Sequence, residues 1–236
     1  MSAYQADYTI LIYGFSGAGK SYSMRNLDLT KTAYINVELK PLTLANASDL
    51  AAYYKPSTIE EVQQAISECA ANTEIDTVIF DSITMLADKI MYPHFIEDAP
   101  LTKSGQPDKM TGWGNYKTFF NHMITFCKKS SKSFVFTALA MDTADEQDKF
   151  EKVISPKIQG SLKESISSEF TTVLYASAKL IEENGTKVGK YLFQTNREPN
   201  SWYVQAKSIP GCLELYEPND TNANINKIKA FYKEGK

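Results

Sequence analysis

The strongest constraint on this chain is an apolar run that leads into a glycine-rich turn. Tyr8-Thr9-Ile10-Leu11-Ile12-Tyr13 is β-branched and aromatic, the composition of a buried strand. Gly14-Phe15-Ser16-Gly17-Ala18-Gly19-Lys20-Ser21 follows at once and fits G-x-x-x-x-G-K-[ST] at every fixed position. Glycines in such a loop let successive backbone N–H groups turn inward around a phosphate. Ser21-Tyr22-Ser23-Met24-Arg25-Asn26-Leu27 is expected to begin a helix whose free amides and positive dipole end face the same spot. In this reading Gly14 to Tyr22 hold a nucleotide, Lys20 reaches its β- and γ-phosphates, and Ser21 ligates Mg²⁺.

Two further carboxylates stand where such a site needs them. Lys31 to Val37 reads as a second strand that ends at Glu38, with Pro41 close behind to stop it. In open parallel sheets ligands lie beyond the C-terminal strand ends, so Glu38 is a candidate to face the γ-phosphate and polarise a water. A solvated loop glutamate is the alternative. Thr77-Val78-Ile79-Phe80-Asp81-Ser82 is an apolar strand ending in an acid, which suits Asp81 to hold the magnesium water shell opposite Ser21. Its other reading is a helix N-cap.

The remaining segments set the architecture. Ser57-Thr58-Ile59-Glu60-Glu61 offers overlapping capping boxes before an amphipathic helix with Ile59, Val62, Ile66 and Cys69 on one side. From Ile90 to Trp113, prolines and glycines predict a long loop carrying Lys103 and Lys109. A helix then buries Trp113, Tyr116, Phe119, Phe120, Met123, Ile124 and Cys127. Ser133 to Leu139 is a fourth strand. Met141 to Ile158 is expected to be a second mobile loop, with Lys149, Lys152 and Lys157 nearly cancelled by its acids. Thr171 to Ile181 and Lys187 to Thr195 pair as a hairpin across Glu183-Asn184-Gly185. Arg197 and Lys207 follow in the next loop and short strand. Residues 1–218 are expected to form one domain, and 219–236 a polar linker from Asn219 to Asn226 and a short terminal helix.

Composition excludes several classes. At 236 residues the chain suits one α/β domain, and its 43% hydrophobic and 22% charged residues are those of a globular protein. No apolar stretch approaches the roughly 20 residues that span a bilayer, and the first residues carry neither a basic nor an apolar segment, so a cytoplasmic protein is expected. Cys69, Cys127 and Cys212 lie far apart and beside apolar residues, as buried thiols do. His94 and His122 make no metal pattern. A net charge of −3 neither finds nor excludes a nucleic-acid partner. Only Arg25 and Arg197 are arginine, so a lid that clamps phosphates with several arginines cannot be built.

As a set, the glycine-rich loop, Glu38, Asp81-Ser82 and the hairpin opening at Tyr175-Ala176-Ser177-Ala178-Lys179-Leu180 resemble a RecA-type ATPase core over roughly residues 8 to 210. The closer resemblance is to small phage-encoded RecA/RadA-like nucleotide-binding proteins of DNA recombination and single-strand annealing. It implies a mostly parallel sheet flanked by helices with a C-terminal β-hairpin. It also implies ATP and Mg²⁺ as ligands, DNA-stimulated hydrolysis in the cytoplasm of a bacterial host, and a homo-oligomer. Partners would be single-stranded DNA and single-strand-binding or annealing proteins. Glu38 takes the place of the water-activating glutamate, and the loops at 93 to 112 and 140 to 160 that of the DNA-holding loops. Arg197 and Lys207 fall where relatives present a cation to a neighbour's γ-phosphate; solvated surface charges are the alternative. Leu139 departs from the pattern, because a polar γ-phosphate sensor usually stands there. Two rival readings remain, a small-molecule nucleotide kinase, which the arginine count disfavours, and an ATP-switched loader or assembly factor with little turnover.

Overall fold

The computed structural model describes residues 8–144, 152–183, 186–198 and 204–234. Its strands are β1 (Ile10–Gly14), β2 (Thr32–Asn36), β3 (Ala52–Tyr54), β4 (Thr77–Asp81), β5 (Ser133–Ala144), β6 (Lys152–Pro156), β7 (Thr172–Glu183), β8 (Thr186–Gln194) and β9 (Tyr216–Pro218). They form a nine-stranded sheet in the order β3-β2-β4-β5-β1-β7-β8-β9, with β6 paired to β5. Pairing from β3 through β7 is parallel, while β7–β8, β8–β9 and β5–β6 are antiparallel. This is the mixed α/β sheet that the sequence implies.

Alternation along the strands divides the core in two. Leu11 and Tyr13 face one side, where α1 (Ile59–Ala71), α2 (Ile83–Met85 and its continuation), α3 (Lys109–Lys129) and the short α4 (Leu162–Ser165) bury Val62, Ile66, Leu86, Tyr116, Phe120, Ile124 and Leu162. Thr58 caps α1 by accepting from Glu61 N–H at 3.2 Å, as its capping box requires. The helix α2 begins at Ile83–Met85 and continues as π turns over Leu86–Met91 and Pro93–Glu97. The long loop expected from Ile90 is therefore helical as far as Glu97, because a proline at the first position of a turn loses no hydrogen bond. No helix among the described residues is long and apolar enough to cross a membrane.

On the other face Ile10, Ile12, Ile79, Val135 and Leu174 meet Met24, Leu27, Ile225 and Ile228. Here the sequence misleads. No long helix follows the glycine-rich loop; a single 3-10 turn, Tyr22–Met24, takes its place. Asp28 then accepts from Thr30 N–H at 3.1 Å, and this cap turns the chain directly into β2. The uncovered sheet is closed by α5 (Thr221–Glu234), so the linker expected over 219–226 is helical from Thr221 onward. Three contacts tie this helix start to the loop's exit. Ser23 and Thr221 hydroxyls lie 2.8 Å apart, Arg25 donates to the Asn219 carbonyl at 2.7 Å, and Asn26 to Asp220 at 2.6 Å.

Ile228 is 2% exposed in this layer. Ile228→Ala should destabilise the protein by about 2–4 kcal/mol, the usual cost of a buried isoleucine truncation. Urea unfolding measures this, and a loss below about 0.5 kcal/mol would mean that α5 is not a structural part of the domain.

The ends of the charged stretch after Leu139 are strands, while its residues 145–151 lie outside the described residues. Strands β5 and β6 form an antiparallel ladder from Ala140 opposite Pro156 to Ala144 opposite Lys152, so both ends of the loop expected over 141 to 158 are paired strand. Backbone pairing needs no apolar side chains, so a polar composition does not prevent it. The hairpin β7–β8 is as expected, running to Glu183 opposite Thr186; its Asn184-Gly185 turn lies outside the described residues.

Candidate nucleotide site

The C-terminal ends of four adjacent parallel strands, β2, β4, β5 and β1, open onto one cavity of about 380 Å³. Ser16, Gly17, Gly19, Lys20, Ser21 and Tyr22 line one side; Asn36, Glu38, Lys40 and Asp81 line the other. Gly17 and Gly19 have φ of 78° and 87°, a left-handed backbone in which a side chain is strained, and this curls the loop. Lys20 Nζ donates to the carbonyls of Gly14 at 2.8 Å and Phe15 at 3.0 Å, inside the curl. Burial pulls its ammonium below the ordinary lysine range, opposed by the carboxylates of Asp81 and Glu38. An anion entering the loop would relieve that desolvation. Behind the loop stands one 3-10 turn, and not the long helix whose dipole is expected there from the sequence.

Asp81 is held on both oxygens. Thr137 donates to Oδ1 and Tyr34 to Oδ2. Burial pushes its carboxyl above the usual range, while those hydroxyls and Lys20 counter the shift. A carboxylate so desolvated gains from a nearby cation. Among the described residues no three His, Cys, Asp or Glu side chains converge on a metal position. A cation at Ser21 and Asp81 must therefore complete its shell with phosphate oxygens and water, which is how Mg²⁺ is bound with nucleotides. The residues present fit that ion. Ser82 serves as the N-cap of α2, accepting from Met85 N–H at 3.3 Å, so Asp81 itself is not spent on capping.

Glu38 is fixed by main chain and side chain. Val37 and Glu38 N–H both donate to the Asp81 carbonyl, at 2.7 and 3.1 Å. Ser82 Oγ donates to Glu38 Oε1 at 3.3 Å, and Lys40 Nζ lies 2.9 Å from Oε2. The Glu38 side chain is 16% exposed, so it belongs to the cavity wall and not to a solvated loop.

The other expected residues are more scattered. Leu139 lines the cavity, in register with Gly14, and presents an apolar wall there. Phe15 is 42% exposed on the outside of the loop. Arg197 is exposed beyond β8, and Lys207 bridges to Val173 with Lys128 and Glu169 as its charged neighbours; neither lines the cavity. Lys103 stands in the exposed turn after α2, Lys109 opens α3, Lys152 opens β6 and Lys157 follows β6. Lys103, Lys109 and Lys157 do not line the cavity, and Lys149 lies outside the described residues.

Sequence reasoning missed Tyr34, Asn36, Lys40, Thr137 and Tyr191. Tyr34 and Asn36 alternate with Ile35 on β2, and Thr137 is polar within an apolar strand, a weak signal that was available. Tyr191 carried none. It reaches the site because β8 lies two strands from β1, and its ring rests on Gly19, where an added Cβ would come within 2.7 Å of Cδ1. Its centroid is 5.6 Å from that of Tyr22, which carries the Arg25 guanidinium 4.1 Å above it.

A family model described as an AAA domain matches residues 6–207 of this chain. No curated protein matches it.

Proposed function

The chain belongs to the AAA-domain family of P-loop nucleotide-binding ATPases, and from that premise we propose that it binds Mg²⁺ and ATP in this cavity and hydrolyses the γ-phosphate. The observation that carries the reading is the convergence of Lys20, Glu38 and Asp81, from three separate strand ends, on one cavity. Lys20 and the loop amides orient the phosphates. Glu38 takes a proton from water as its oxygen bonds to the γ-phosphorus and the bond to the β–γ bridging oxygen breaks. ADP and inorganic phosphate leave, and the proton passes from Glu38 to phosphate or solvent. Ser21 and Asp81 are the residues that would hold Mg²⁺, which would supply neutralisation of the phosphate charge.

Tyr22 and Tyr191, 53% and 43% exposed, form an aromatic wall at the rim of the cavity. A nucleobase stacks on that wall. Tyr191→Ala should therefore weaken ATP about 5- to 150-fold, the worth of one aromatic stack, and leave inorganic tripolyphosphate unchanged. Calorimetric titration with both ligands decides it; equal losses for the two would remove the base from the tyrosines.

The physiological task we propose is DNA recombination or annealing on single-stranded DNA, with an oligomeric protein. Support comes from the place of Glu38, two residues past the end of the strand paired with that of Asp81, and from the resemblance described above. The test is ATP turnover with and without single-stranded DNA. Stimulation of several-fold is expected; turnover indifferent to DNA, or phosphate transfer to a nucleoside monophosphate, contradicts it.

A further inference from the structure

Lys40 stands in the nucleotide cavity with no assigned task. The chain is folded to bring it there. Leu39 has φ of 58°, a left-handed kink that a branched side chain enters only under constraint. Asn36, 1% exposed, supplies that constraint. Its Oδ1 accepts from Leu39 N–H at 2.9 Å, and its Nδ2 donates to the Lys40 carbonyl and to Tyr53 Oη, both at 2.8 Å. The kink folds Glu38 and Lys40 back onto each other, and both line the cavity with Lys20 and Asp81.

The pair is asymmetric. Glu38 is 16% exposed and fixed by Ser82, whereas the Lys40 side chain is 76% exposed, so the lysine is the partner free to leave. An exposed ion pair of this kind is weak. With Ser82 Oγ on Oε1 and the ammonium on Oε2, both Glu38 oxygens are occupied, and neither is open to a water.

We propose that Lys40 is the γ-phosphate-responsive cation of this site: it occupies Glu38 in the nucleotide-free protein and transfers to the γ-phosphate when a triphosphate enters, freeing Glu38 to act on water. The step involves no bond-making at Lys40, which keeps all its protons and exchanges one oxyanion partner for another. A triphosphate offers more negative charge than one carboxylate, and only a ligand with a γ-phosphate presents it at this end of the cavity. ADP therefore leaves the ion pair intact, so the two ligands differ in their affinity for the two arrangements. In the hydrolytic step the same ammonium offsets charge developing on the transferring group. The site thereby has a second cation, beside Lys20, in a chain with only two arginines.

The inference rests on the ATPase reading, and the experiment separates their failures. Lys40→Met, Lys40→Arg and Lys20→Ala are titrated with ADP and with a non-hydrolysable ATP analogue in Mg²⁺ buffer, and turnover is measured with ATP. Lys40→Met should bind the ATP analogue about 10-fold or more weakly and ADP as wild type does, with turnover slowed about 10- to 100-fold. Lys40→Arg should restore most of both. A purely structural ion pair would leave the ratio of ATP-analogue to ADP affinity unmoved. Lys40→Met with that ratio unchanged, or with turnover within twofold of wild type, overturns the assignment. Undiminished ATP-analogue binding by Lys20→Ala would instead overturn the nucleotide site itself.

Discussion

Lys20→Ala is expected to lower ATP affinity by roughly 10²-fold or more, since charge-assisted hydrogen bonds to two phosphates are each worth about 1.5–3 kcal/mol. No other cation takes its place inside the curl of the loop. Lys40 approaches from the Glu38 side of the cavity, and Arg25 is held by the Tyr22 and Asn219 carbonyls at 3.0 and 2.7 Å. The fold should survive. The Lys20 ammonium bonds only the Gly14 and Phe15 carbonyls, which water can reach from the open cavity once the side chain is gone. Isothermal calorimetry with a denaturant melt as control reads both expectations. Affinity within threefold of wild type would mean that the phosphates do not lie in this loop.

Glu38→Gln is expected to leave ATP affinity near wild type and to slow hydrolysis by about 10²-fold or more, because the amide keeps the shape and loses the base. The surroundings tolerate it. Ser82 Oγ can still donate to the amide oxygen, and the backbone that places residue 38 is anchored on the Asp81 carbonyl. Only the ion pair with Lys40 is lost, and one partner of that pair is mostly in solvent. Single-turnover kinetics at saturating ATP isolate the chemical step from binding. Wild-type rates would make Glu38 a bystander in the cavity wall.

These two residues were legible in the sequence for different reasons. Lys20 belongs to a motif whose geometry is local, so eight consecutive residues fix strand, loop and chemistry together. Glu38 and Asp81 were legible as strand ends, and the parallel pairing that puts Asn36 opposite Asp81 turns those ends into one site. The helix after the loop was not legible. Tyr22, Met24 and Leu27 have the spacing of a first helical turn, and the helix that covers this face comes from Thr221, 198 residues away from its partner Ser23. Nor was the ladder of β5 and β6, because its main-chain bonds are indifferent to the charges that marked it as a loop. Lys40 shows the same limit at the site. Its position depends on a left-handed Leu39 held by Asn36, which Tyr53 in turn braces from β3, and no spacing in the sequence encodes that second contact.

The central claim is that one cavity binds ATP through Lys20 and hydrolyses it through Glu38. The nucleotide retained after incubation with Mg²⁺ and ATP, followed by rapid desalting, acid quench and chromatography, tests both halves in one measurement. Glu38→Gln should retain intact ATP near one molecule per chain, the wild type should retain ADP, and Lys20→Ala should retain neither. Equal ATP-to-ADP ratios in the wild type and Glu38→Gln, or nucleotide retained by Lys20→Ala at the wild-type level, would contradict it.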